Sequence, residues 1–158
     1  MRHIAEELPN ELFDAVVNLF SSFGFYDDET SREMLAQCLR MVRPDGIFML
    51  DTLNRDWLMR NFRERAVEDH GELLTVEKRE FDLERAGSKS HWTILEQTDA
   101  STWETALEVD VAIRIYTLHE LIELFESAGW FFVESFGSLA GEPFELGSKR
   151  LVGVFKTP

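Results

Sequence analysis

Residues 13–53 read FDAVVNLF, SSFGFYDDETS, REMLAQCLRMV, RPDG and IFMLDTL. Residues 13–20 are a near-continuous apolar run, as a strand buried on both faces requires. Residues 28–42 are amphipathic. Thr30 and Glu33 form a T-x-x-E capping box, and Met34, Leu35, Cys38, Leu39, Met41 and Val42 then fall on one stripe at helical spacing. Pro44 stops that helix, and Arg43-Pro44-Asp45-Gly46 supplies a tight turn before a second buried strand at 47–53. Strand, helix and strand in this order form the middle of a doubly wound α/β sheet.

Working outward, a short helix is predicted over residues 56–65, with Trp57, Leu58 and Phe62 on its apolar side. The period then changes. Residues 73–83, 91–97 and 103–116 alternate, most clearly in the third. There Ala106, Glu108, Asp110, Ala112, Arg114 and Tyr116 lie on one face, and Leu107, Val109, Val111, Ile113 and Ile115 on the other. Period two with one apolar face predicts an antiparallel meander, inserted over 72–116, with turns at 86–88 and 98–102. The α/β pattern resumes with a second T-x-x-E box, Thr117 to Glu120, a stripe of Leu118, Leu121, Ile122, Leu124 and Phe125, and Gly129 as the helix-ending residue. Strands follow at 130–136 and 150–156, joined by a loop too short for a parallel return, so the last strand is expected antiparallel. The fold class is α/β: one domain over 1–158, a partial doubly wound sheet with an antiparallel last strand and an inserted meander.

The 158 residues are 44% hydrophobic and 12% aromatic, enough for a real core. A net charge of −14 argues against nucleic acid and against anionic membrane surfaces as partners. No apolar run approaches the roughly 20 residues of a membrane span, and residues 1–11 show no apolar segment of a signal peptide. Cys38 is the single cysteine, which fits a reducing cytoplasm. His3, His70, His91 and His119 have no mutual spacing that suggests a metal site, and no nucleophile–base pair is visible.

Doubly wound sheets commonly cradle a cofactor on a glycine-rich loop after their first strand. This sequence has no G-x-G, and the dozen residues before the first strand are too few for a strand and its crossover helix. NLFSSFGFY at 18–26, RPDG before FMLDT at 48–52, NRDW at 54–57, RIYTLHEL at 114–121 and the closing SKRLVGVFK at 148–156 together resemble a class I S-adenosylmethionine-dependent methyltransferase of the small-molecule type. The resemblance runs over nearly the whole chain and corresponds to the C-terminal portion of that fold, starting after its third strand. It implies S-adenosylmethionine as cofactor and a small-molecule methyl acceptor. It places Met1 and Arg2 beside the adenine, and Asn18, Phe20, Ser21 and Phe23 at the methionine end of the cofactor.

Strand-end geometry agrees, because ligands of open α/β sheets sit outside the carboxyl ends of the strands. The substrate-side candidates are Asp51, Asn54 and Arg55 at the second such end, with Arg114 and Tyr116 from the meander. Phe20 and Phe23 suit a ligand wall or core packing. Asn18 suits a site or a loop hydrogen bond. Asp51 suits a site or a cap for the following helix. Arg55 and Arg114 suit an anionic substrate or surface ion pairs. No catalytic residue and no metal ligand is assigned. Two functions fit: a methyltransferase, or the substrate-side half of one, and a non-catalytic binding or dimerisation module built on the same fold. In either, residues 13–20 form an edge strand that needs cover, from a second copy in a homodimer or from a separate N-terminal half.

Overall fold

The computed structural model describes residues 13–158; Met1 and Arg2 lie outside the described residues. Two compact units are formed, one from residues 13–60 with Ile115–Pro158, the other from Asn61–Arg114.

The first unit is built on a four-stranded sheet. β1 (Phe13–Asn18), β2 (Val42–Leu53), β7 (Phe131–Phe136) and β8 (Arg150–Lys156) lie in the order β1-β2-β8-β7. β1 and β2 are parallel, and β8 is antiparallel to both β2 and β7, so the predicted antiparallel ending is present. α1 (Asp28–Met41) links β1 to β2, α2 (Arg55–Arg60) follows β2, and α3 (Leu118–Ser127) precedes β7.

Local chemistry explains these elements, with three departures from the sequence reading. α1 is capped by Asp27, whose carboxylate accepts the Thr30 N–H at 2.7 Å. The expected box from Thr30 to Glu33 therefore gives way to a cap one turn earlier. α3 does begin with the predicted box: Thr117 accepts from Glu120, whose side chain accepts in return. It ends where expected, on Gly129 at φ 95°, with Gly129 N–H donating to Glu126 and Trp130 N–H to Phe125, the pattern of a Schellman motif. The RPDG turn is absorbed into β2. Phe13 pairs with Val42 and Ala15 with Ile47, so residues 43–46 bulge out of the ladder, with Asp45 at φ 61°. Finally, α2 stops at Arg60, short of the predicted Arg65.

One face of the sheet carries the core. Phe125 stacks on Phe155 at 3.8 Å between ring centroids and meets Phe48 edge-on at 5.0 Å. Trp130 is buried against Phe48, and its indole N–H donates to the Leu35 carbonyl at 3.0 Å. Cys38 packs at the margin of this core, and burial pushes its thiol pKa up. The opposite face differs. Phe13, Val17, Ile47 and Phe131 are 41%, 58%, 39% and 51% exposed. β1, read from sequence as buried on both faces, is exposed on this one; among the described residues it pairs on one side only, at the edge expected for it.

The second unit is an antiparallel sheet of β3 (Arg65–Asp69), β4 (Leu73–Asp82), β5 (Gly87–Asp99) and β6 (Thr102–Arg114), paired in sequence order. β3 was not foreseen: RAVED is short, polar and without clean alternation. On one face Glu77 is 8% exposed and takes hydrogen bonds from Arg79, Ser90 and Trp92. Burial alone would raise its pKa; these hydrogen bonds and the Arg79 charge outweigh that and hold it below the usual carboxylate range. Leu107 and Val109, expected on a covered face, are 51% and 37% exposed.

Candidate functional site

The carboxyl ends of β1 and β2 lie side by side, Asn18 opposite Leu50. β8 starts at the same end, with Arg150 opposite Leu53. Three segments therefore converge there: residues 18–23 after β1, 51–55 at the end of β2, and Arg150.

Asp51 is the centre of this corner. It is 1% exposed, in register with Val152, so Arg150 lies two residues along the neighbouring strand on the same face. The guanidinium donates from Nε to Oδ1 at 2.8 Å and from Nη2 to Oδ2 at 2.7 Å. This is the planar two-point pairing that arginine alone provides. Oδ2 also accepts the Phe20 N–H at 2.9 Å, the Asp51 carbonyl accepts the Ser21 N–H at 3.0 Å, and Arg150 Nη1 donates to Ser21 Oγ at 3.1 Å.

These bonds fall on unusual backbone. Phe20 and Ser21 stand at φ 57° and 58°, consecutive left-handed residues neither of which is glycine. That conformation costs roughly 1–2 kcal/mol per residue. Two backbone N–H donors satisfied by Asp51 offset it. The result is a sharp turn in which Phe20 is thrown out to 81% exposure. Ser22 closes the turn by donating to Asn18 Oδ1 at 3.1 Å. Phe25 and Tyr26, each 53% exposed, continue the exposed aromatic stretch before α1.

The other sequence-predicted residues take different places. Phe23 is 3% exposed, with Tyr116 at 5.6 Å and Phe125 at 6.0 Å between ring centroids, and so belongs to the core. Tyr116, expected on a polar strand face, is 2% exposed and donates to Asp28 Oδ1 at 2.8 Å. The reason is that β6 ends at Arg114, so strand alternation no longer applies two residues later. Asn54, 2% exposed, does the capping considered for Asp51: its Oδ1 accepts the Asp56 N–H at 3.0 Å, and its Nδ2 donates to the Ser148 carbonyl at 2.7 Å. Arg55 pairs with Glu120 at 3.3 Å. Arg114 closes β6 in the second unit. Arg150 was missed, although a buried aspartate at a strand end demands a cation and an antiparallel last strand beginning with arginine supplies one.

Among the described residues no group of three His, Cys, Asp or Glu side chains is placed to hold a metal ion. None of the described helices is long and apolar enough to cross a membrane.

Solved structures with a similar overall fold are known. The methyltransferase CcbJ from Streptomyces caelestis superposes with a TM-score of 0.79 at 17% identity, over 94% of this chain and 62% of that one. The chain has a class I methyltransferase-like fold. An S-adenosylmethionine-dependent methyltransferase from Clostridium acetobutylicum gives a TM-score of 0.82 at 12% identity, over 97% of this chain and 61% of that one. CalS10, an amino pentose methyltransferase from Micromonospora echinaspora solved with S-adenosylmethionine bound, gives 0.62 at 18% identity, over 92% and 58%. The chain therefore spans about three fifths of the length of these structures. No protein-family model matches the sequence, and neither does any curated protein.

At this corner the Phe20 ring is exposed, beside the half-buried Asn18 amide, whose Oδ1 accepts from Ser22.

Proposed function

We propose that this chain supplies the substrate-side part of a methyltransferase that moves a methyl group from S-adenosylmethionine to a small molecule. The observation that carries the reading is the corner at the carboxyl ends of β1 and β2, where a fixed left-handed turn presents Phe20 beside Asn18 in a methyltransferase-like fold. When bound, the cofactor supplies an electrophilic methyl group on a positively charged sulfur. Methyl transfer then asks little covalent chemistry of the protein; it asks for alignment and exclusion of water.

In this reading Phe20 walls the sulfonium, Asn18 and Ser21 bind polar groups at the methionine end, and Phe23 supports them from the core. Met1 and Arg2 take the adenine side. Asn54 and Arg55 bound the substrate side and the buried Asp51 supports it from within, with Arg55 contacting the acceptor and Tyr116 shaping the site from beneath. Arg114, the last residue of β6, is a separate candidate for binding an anionic acceptor. The setting is cytoplasmic, in keeping with a lone cysteine. β1, which among the described residues pairs on one side only, and the exposed Phe13, Val17, Ile47 and Phe131 support a further part of the proposal. A doubly wound sheet is covered on both faces, so a second copy or a polypeptide carrying the rest of the sheet covers them in the working molecule.

A second reading has its own support. The sequence contains no G-x-G, and the bare apolar face suits association. In that reading the chain is a non-catalytic binding or dimerisation module.

Titration calorimetry with S-adenosylhomocysteine, alongside sedimentation of the same sample, separates the two. Saturable binding that weakens in Asn18→Ala and Phe20→Ala is the result expected of the first reading. A folded dimer with no binding is the result expected of the second, and a stable monomer at micromolar concentration contradicts the covered edge.

A further inference from the structure

Among the described residues, the Asp51 carboxylate is hydrogen-bonded to Phe20 and to Arg150, and Ser21 is reached by the Asp51 carbonyl and by the same arginine. Oδ2 holds the Phe20 N–H, the Asp51 carbonyl holds the Ser21 N–H, and Arg150 spans from the carboxylate to Ser21 Oγ. A buried ion pair is a poor way to gain stability, since apolar side chains of similar volume often serve as well or better. What it does provide is direction. Arginine's fork fixes the carboxylate plane at two points, and that plane fixes where the Phe20 amide must lie. Phe20 and Ser21 are left-handed at φ 57° and 58°, a conformation that an isolated phenylalanine and serine rarely keep. Strained backbone of this kind persists only where its surroundings over-determine it, and it clusters at functional sites.

We infer that Asp51 and Arg150 are a positioning pair. They lock the Phe20–Ser21 turn in its left-handed form, so that the Phe20 ring and Asn18 are set in advance for a ligand at the carboxyl ends of β1 and β2. Asp51 acts through the turn, not by touching substrate. The ligand's identity rests on the reading under Proposed function; the positioning does not.

The test uses the full chain and three variants, Arg150→Gln, Arg150→Lys and Asp51→Asn. Amide hydrogen exchange is followed by NMR at Phe20 and Ser21, with Leu50 and Phe155 as core references, and S-adenosylhomocysteine affinity is measured on the same samples. Breaking the pair is expected to speed exchange at Phe20 and Ser21 by about tenfold or more, as loss of the restraint on one strained residue does. The core amides stay unchanged. Arg150→Lys, which keeps the charge but not the fork, lies between the wild type and Arg150→Gln. Affinity falls by about tenfold in Arg150→Gln. Unchanged exchange at the turn overturns the inference, and so does an equal rise at Leu50 and Phe155, which would make the pair a general stabiliser. If Arg150→Gln does not fold, Arg150→Lys and Asp51→Asn carry the comparison. If the wild-type chain binds no S-adenosylhomocysteine, the ligand reading fails while the exchange data still decide the positioning claim.

Discussion

Phe20 and Phe23 stand three residues apart in one loop, and substituting each by alanine separates site from scaffold. Phe23 is 3% exposed, between Tyr116 at 5.6 Å and Phe125 at 6.0 Å. Truncating a buried phenylalanine of this kind costs about 3–5 kcal/mol, because a cavity adds to the lost transfer free energy. Against the 5–15 kcal/mol typical of folded domains, that is a large share. It corresponds to a melting temperature lower by roughly 6–20 °C in a chain of this length. Phe20, at 81% exposure, has almost no packing to lose. Phe20→Ala should stay within about 0.5 kcal/mol of wild type, and Phe20→Gly should gain up to about 1 kcal/mol by relieving the left-handed φ of 57°. Ligand affinity should move the other way, falling in Phe20→Ala while the fold stands. Urea unfolding followed by far-UV circular dichroism, paired with calorimetric titration, reads both quantities. Equal destabilisation by Phe20→Ala and Phe23→Ala would refute the division, because it would mean that the Phe20 ring is packed.

Three further outcomes follow from single contacts. Gly46→Ala should cost at least about 1–3 kcal/mol and loosen β1 from β2, since a Cβ there would lie 2.8 Å from the Asp14 carbonyl and 2.9 Å from that of Arg43; chemical denaturation checks the cost and amide exchange along β1 checks the loosening. Thr117→Ala should cost about 1 kcal/mol by removing the cap of α3, and Thr117→Ser should recover most of it, as thermal melts will show. Glu77 is held below its ordinary pKa, so its contribution is present above the unfolded carboxylate value near 4.3 and is lost as pH falls through the lower folded value. Acid titration should show this component in the wild type and not in Glu77→Gln.

How much could be read in advance depended on whether the deciding partner was near in sequence. The box from Thr117 to Glu120 and the stop at Gly129 were legible because each lies within one helical turn. The box at Thr30 and Glu33 looked equally good, but the run DDET offers three carboxylates beside its one hydroxyl, and Asp27 took the Thr30 N–H first. The apolar run at 13–20 correctly marked a strand, though the strand ends at Asn18. Its burial did not follow, because that depends on what lies beside β1 and not on β1 itself. Strand β3 was missed since its five residues owe their conformation to pairing with β4, not to their own pattern. Within the candidate site, Asn18 and Phe20 followed from the rule that ligands meet strand carboxyl ends. Arg150 is 99 residues from Asp51, and only the antiparallel register of β8 against β2 brings them together. Tyr116 was misplaced for a related reason: alternation marks faces only while the strand lasts, and β6 ends at Arg114.

The central claim is that the corner between β1 and β2 receives an S-adenosyl ligand. An NMR titration of the isotopically labelled chain with S-adenosylhomocysteine addresses it most directly, because amide shifts report binding even in the millimolar range, where the free energy of association is only about 4 kcal/mol. The account predicts saturable shifts concentrated in residues 18–23 and 51–55, with the Phe20 and Ser21 amides moving most. Shifts confined to β3–β6, or none at all from a folded chain, would contradict it.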